Sequence, residues 1–86
     1  MTSLELNDLY TMMIECAGVD DGVVLDAEAA ERGFEDLGYD SLAVLELFGR
    51  IERTTGVEIP EEAAQELPTP AAVIAYVNGS LAPAGA

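Results

Sequence analysis

Leu37-Gly38-Tyr39-Asp40-Ser41-Leu42 opens the most regular stretch of the chain, and the fifteen or so residues from Ser41 onward set the fold class. From Asp40-Ser41 to Gly56, apolar or small side chains recur at Val44, Leu47, Phe48, Ile51 and Thr55, a spacing of i, i+3, i+4, i+7 and i+11. Such a stripe covers one face of a 3.6-residue helix and faces a core. The spacing predicts a helix over 41–55, stopped by Gly56. Its solvated side carries Glu46, Arg50, Glu52 and Arg53, with Glu46 and Arg50 at i, i+4 as a local ion pair. Before it, Gly38 can adopt positive φ and bend the chain. That bend delivers Asp40 and Ser41 to a helix entrance, where N–H groups lack helical partners and the positive dipole end favours an anion. A small hydroxyl there suits a phosphodiester, with Leu42 packing locally to hold the turn against the body. Asp40 or Ser41 equally reads as an ordinary N-cap.

Upstream, Leu6, Leu9, Tyr10, Met13 and Ala17 repeat the helical spacing. Thr2 and Glu5 fit a capping box and Gly18 a stop, so a first helix is predicted over 3–17. The stretch 18–40 holds four glycines and many acids without a sustained stripe. It reads as a long connection, of the kind that carries function or packs into a site. Its expected anchors are Val24, Leu25, Phe34 and Leu37, and Ala27 to Arg32 has the propensity for one helical turn. Downstream, Pro60-Glu61-Glu62 starts a short helix over 61–66 that Pro68 ends. Thr69-Pro70 then caps a last helix over 70–81, whose face is Val73, Tyr76, Val77, Ser80 and Leu81. Residues 82–86 read as a frayed tail. The expected architecture is all-α: one domain over 1–86, a small four-helix bundle of three principal helices and one short one, with a long loop between helices one and two.

Composition narrows the function. Eighty-six residues leave a thin core and little stability to spare for a deep polar catalytic pocket. Seventeen Asp and Glu face three Arg, with no Lys or His, for a formal net charge of −14. This field repels nucleic acid and anionic lipid and attracts proteins with basic docking patches. A single Cys and no His remove a His/Cys zinc site, an internal disulfide and a His-assisted nucleophile. Cys16 is expected to be a buried, inert thiol near the end of helix one. Asp20, Asp21, Asp26 and Glu28 miss the spacing of a calcium loop, so no metal site is expected. Met12, Met13 and Tyr76 read as core or boundary. No stretch approaches the ~20 apolar residues of a membrane span, and residues 1–8 lack a secretory pattern, so a cytoplasmic monomer is expected.

Leu37 to Leu42 together with Ala43-Val44-Leu45-Glu46 resembles the attachment motif of acyl carrier proteins. The likeness extends over nearly the whole chain, through the long first loop, the Gly56-Val57-Glu58-Ile59-Pro60 exit and the short helix before Thr69-Pro70. The resemblance implies that a phosphopantetheinyl transferase moves a 4'-phosphopantetheine arm from coenzyme A onto Ser41, flanked by Gly38, Asp40 and Leu42. The arm holds an acyl or polyketide chain as a thioester, and the protein itself is no enzyme. It further implies docking through Asp40, Glu46 and Glu52 to basic patches on malonyl/acyl transferase, ketosynthase–chain length factor, ketoreductase and other tailoring enzymes. Tyr39 before Asp40-Ser41, with Glu15-Cys16-Ala17-Gly18, resembles the free-standing carriers of bacterial type II polyketide synthases more than those of fatty acid synthesis or peptidyl carriers. Small residues at Ala43, Gly49, Ala63, Ala64, Ala72 and Ala75 suggest an interhelical cleft for part of the cargo. An unmodified acidic adaptor or inhibitor of a basic protein is the reading from another class.

Overall fold

The computed structural model describes residues 3–18 and 22–81. Among the described residues, four α-helices, α1 (Leu6–Ala17), α2 (Ser41–Thr55), α3 (Glu61–Ala64) and α4 (Pro70–Leu81), account for the regular structure together with a 3-10 turn at Ala29–Glu31. Helix α1 packs on both α2 and α4, and the 3-10 turn rests on α4. The core is a single cluster in which Leu9 and Met13 of α1 meet Leu47 and Ile51 of α2 and Val73 and Val77 of α4, all essentially inaccessible. Phe34 from the long loop closes one side against Phe48, edge to face at 6.2 Å between ring centroids.

Helix α2 ends where Gly56 turns left-handed (φ 77°, ψ 3°) and its N–H returns to the Glu52 carbonyl at 2.9 Å. Leu47, Phe48 and Ile51 are buried, while Val44 and Thr55 at the two ends of the stripe are half-buried. Arg50 does not pair with Glu46 within the helix. It reaches across to Glu15 of α1, Nη2 to Oε1 at 2.5 Å. The exit after α2 is fixed by another acid, since the Ile59 N–H donates to Glu52 Oε2 at 2.8 Å.

Helix α1 begins three residues later than its spacing predicts. The Leu4 peptide is engaged elsewhere: its N–H donates to Asn78 Oδ1 at 2.6 Å, and Asn78 Nδ2 donates to its carbonyl at 3.1 Å. Glu5 is extended and serves as N-cap, its N–H donating to Asp8 Oδ2 at 3.1 Å. The proposed cap at Thr2 and the tail 82–86 lie outside the described residues. Met12 and Met13 join the core, Tyr76 is half-buried, and Ala17 and Ser80, assigned to core faces by spacing, are exposed. Cys16 is half-buried rather than enclosed. Helix α3 stops at Ala64 because its last bonds tighten to i→i+3, Glu66 N–H to the Ala63 carbonyl and Leu67 N–H to Ala64, just before Pro68.

In the long loop, Val23 and Leu25 pack against the core while Val24 is 66% exposed. An extended segment alternates its side chains, so three consecutive residues cannot all be anchors. The turn expected between Ala27 and Arg32 forms as the 3-10 segment, capped by Asp26 Oδ1, which accepts from the Ala29 N–H at 3.0 Å. The Tyr10 hydroxyl donates to the Asp26 carbonyl at 2.6 Å, and burial together with the Asp26 carboxylate pushes its pKa above the usual phenolic value. Phe34 and Leu37 are buried anchors, and the Phe34 N–H donates to the Pro68 carbonyl at 3.0 Å, tying the loop to the far end of α3.

Candidate functional site

The entrance of α2 is built by the eight residues before it. From Gly33 to Tyr39 the backbone coils on itself: the Leu37 N–H reaches the Gly33 and Phe34 carbonyls, Gly38 N–H the Glu35 carbonyl, and Tyr39 N–H the Phe34 carbonyl at 2.9 Å. Gly38 makes the last bend at φ 89°, a region that strains any residue with a Cβ. Tyr39 is buried, and its hydroxyl donates to the Gly18 carbonyl at 2.6 Å, linking this turn to the end of α1. Asp40 is the N-cap in extended conformation, its Oδ1 accepting from the Ala43 N–H at 2.8 Å.

Ser41 is the first helical residue, exposed to solvent. Asp40 occupies only the Ala43 N–H, so among the described residues the N–H groups of Ser41 and Leu42 have no hydrogen-bond partner. An anionic group on Ser41 Oγ meets those donors and the positive end of the helix dipole. Leu42 does not hold the turn to the body as expected: it is 66% exposed. It stands two positions before Val44 on the inward stripe, a rotation of about 200° that points it outward. Tyr39 performs the anchoring in its place.

Beside Ser41 runs an open groove of about 550 Å³ between α2, α3 and the coiled loop. Phe34, Val44, Leu45, Phe48 and Leu67 supply apolar walls, and Glu35, Asp36, Asp40 and Glu61 line it as well. Of the small residues expected to open a cleft, only Ala64 lines this groove. The groove is lined by residues of α2, α3 and the coiled loop rather than by the run of small side chains expected to open it. Leu45, 62% exposed, is the lining residue with a sequence signal of its own, being a leucine off the inward stripe of α2.

The structure thus brings Gly38, Asp40, Ser41 and Leu42 into one turn and places exposed Glu46 one turn beyond. Glu52 stands apart, its carboxylate engaged by the Ile59 N–H. Among the described residues no cluster of His, Cys, Asp or Glu has the arrangement of a metal site, and no helix is long and apolar enough to cross a membrane.

A family model described as a phosphopantetheine attachment site matches residues 7–77. Among curated proteins, the chain is 44% identical over 81 residues to the oxytetracycline polyketide synthase acyl carrier protein of Streptomyces rimosus, covering 94% of this chain and 85% of that one. It is 42% identical over 83 residues to the actinorhodin polyketide synthase acyl carrier protein of Streptomyces coelicolor, covering 96% of each. Solved structures agree in fold. The solution structure of the oxytetracycline acyl carrier protein aligns with TM-score 0.81 at 42% identity, over 100% of this chain and 94% of that one. That of octanoyl acyl carrier protein from the actinorhodin polyketide synthase of S. coelicolor aligns with TM-score 0.86 at 40% identity, over 96% of each. An exposed serine at a helix entrance with unengaged N–H groups suits the group named by the family model, and the relatives share the chain nearly end to end. The chain belongs to the phosphopantetheine-bearing acyl carrier proteins of the type II polyketide synthase kind, with 4'-phosphopantetheine as its covalent prosthetic group.

Proposed function

We propose that Ser41 is the residue that bears the arm, and that this chain presents a growing acyl or polyketide chain to the other subunits of its synthase. The observation that carries this reading is the combination at one turn of an exposed hydroxyl, a capping Asp40 that leaves two N–H groups unengaged, and a buried Tyr39 that fixes the turn to the body. Loading forms a phosphodiester between Ser41 Oγ and the phosphopantetheine of coenzyme A; 3',5'-ADP departs and the serine proton is lost. No histidine or lysine exists in the chain to take that proton, so the phosphopantetheinyl transferase supplies the base. The arm contributes a terminal thiol that holds the cargo as a thioester. The chain contributes position, an anion-favouring helix entrance and a surface poor in nucleophiles. Intact mass after incubation with coenzyme A and a broad-specificity phosphopantetheinyl transferase is expected to rise by one arm in the wild type and not at all in Ser41→Ala. An arm found on the variant removes the assignment.

Exposed Asp40 and Glu46 flank the site on a chain of net charge −14, which supports docking of a monomeric carrier to basic patches on the transferase, acyltransferase, ketosynthase–chain length factor and ketoreductase. Glu52, held by the Ile59 N–H, serves the fold rather than docking in this reading. The groove beside Ser41 receives part of an apolar cargo. Chemical shifts at Phe34, Phe48 and Leu67 are expected to differ between the protein bearing a bare arm and the same protein bearing a long acyl arm; identical shifts leave the groove empty.

A further inference from the structure

The outermost seam of α2 is formed by Leu42, Glu46, Gly49 and Arg53, spaced i, i+4, i+7 and i+11, directly opposite the buried Leu47 and Ile51. It is not uniformly acidic. Leu42 supplies an exposed apolar side chain next to Ser41, and Glu46 supplies a negative charge one turn on. Gly49 leaves a flat notch. The Arg53 side chain folds back toward it, Nη1 lying 3.5 Å from where a Cβ on Gly49 would be. The three cations of the chain are engaged differently. Arg50 is neutralised by Glu15, and Arg32 is the exposed C-cap of the 3-10 turn rather than a residue of α2. Arg53 is exposed and, among the described residues, makes no ion pair despite a net charge of −14 around it. Of the acids on its own helix, Glu52 is held by the Ile59 N–H, and Glu46 forms no bridge to it.

We infer that Arg53 is a second, oppositely charged docking contact that fixes the direction in which α2 lies on the condensing subunits of the synthase. This rests on Ser41 bearing the arm. The complementary surface carries an apolar socket for Leu42, a base opposite Glu46, and a carboxylate roughly 10 Å further along the helix opposite Arg53. An exposed guanidinium held beside a glycine and free of any ion pair among the described residues is available to take a carboxylate in a bidentate pair. Reversed docking sets Arg53 against the base meant for Glu46 and Glu46 against the carboxylate, so the strip excludes the wrong orientation as well as favouring the right one. A uniformly basic partner patch gains nothing from this arrangement, since it meets a like charge at Arg53.

The two surfaces make opposite predictions for Arg53→Glu. The experiment uses the arm-bearing protein and the ketosynthase–chain length factor heterodimer of its own synthase, with the apparent KM for the carrier measured at low and at physiological ionic strength. Arg53→Glu is expected to raise KM about tenfold at low salt with kcat unchanged, and Arg53→Gln to raise it by less. A lower KM for Arg53→Glu, the response of a uniformly basic patch to one more acid, overturns the proposal, and so does an unchanged one. Gly49→Leu fills the notch without altering charge and is expected to raise KM in the same direction; no change there also counts against it. Intact mass after exhaustive loading of each variant reports on Ser41 separately, so a failed assignment of the arm is distinguishable from a failed assignment of Arg53.

Discussion

The long connection between α1 and α2 is two structures in sequence, and they are held by different forces. Its later part, Gly33 to Asp40, is anchored by side chains at or near zero exposure, Phe34, Leu37 and Tyr39, and by backbone bonds that close within it and onto Pro68. Its earlier part, Gly22 to Arg32, leaves Val24 in solvent, packs through smaller or half-buried side chains at Val23, Leu25, Ala29 and Ala30, and adds two polar contacts of Asp26, one to the Ala29 N–H and one from the Tyr10 hydroxyl. The later part ends at Ser41 and walls the groove, so the segment that must hold a fixed position is the one built on apolar burial. The earlier part spans a gap, and lighter packing with polar pins of roughly 1 kcal/mol each suffices for that.

On that division, the two parts respond to mutation on different scales. Phe34→Ala removes a ring that is 4% exposed and packed edge-on against Phe48, a change that costs about 3–5 kcal/mol in comparable cores. For a domain whose whole stability is on the order of 0.05–0.15 kcal/mol per residue, this is a large fraction of the total. Urea denaturation is expected to show a midpoint lowered by a large fraction of its wild-type value, and the surviving folded fraction is expected to load slowly because the turn before Ser41 has lost its anchor. A midpoint shift worth less than about 1 kcal/mol would mean that the groove wall is not what holds the turn.

The same contrast between local and distant forces separates what is legible in the sequence from what is not. Helix α2 is legible because its instructions are local: a stripe at helical spacing, an Asp cap before it and a Gly after it. Ser41 is singled out only by the likeness of Leu37 to Glu46 to a known motif, since hydroxyls at helix entrances are common and most are only caps. The start of α1 is misplaced by spacing because the Leu4 peptide is taken by Asn78 at the other end of the chain, a competitor no window around residue 4 contains. The role given to Leu42 fails for a geometric reason available in principle, its angle from Val44 on the helix, whereas Tyr39 as the anchor depends on a carbonyl at Gly18. The groove is the least legible feature. Leu45 reads as an ordinary off-stripe leucine until α3 and the coiled loop stand on either side of it.

The smaller expected effect lies in the earlier part of the connection and has a pH signature that separates it from packing. Tyr10→Phe keeps the ring in the core and deletes the hydroxyl that donates to the Asp26 carbonyl, at a cost of about 1 kcal/mol near neutral pH. Burial and the Asp26 carboxylate both disfavour the tyrosinate, so the folded-state pKa of Tyr10 stands above its unfolded value of ~10. A group whose pKa is raised by folding contributes stability in full below the unfolded pKa, and that contribution is lost as pH rises through the folded one. The difference in stability between wild type and Tyr10→Phe is therefore expected to be level from about pH 7 to 9 and to shrink above ~10, because only the wild type must keep a buried hydroxyl protonated. Taking the difference removes the other tyrosines, Tyr39 and Tyr76, which titrate in both proteins. Parallel alkaline limbs would show that Tyr10 ionises as freely in the folded protein as in the unfolded chain. The earlier part of the connection would then rest on the Asp26 cap on Ala29 and on the packing of Val23, Leu25, Ala29 and Ala30, with no pH-dependent share from Tyr10.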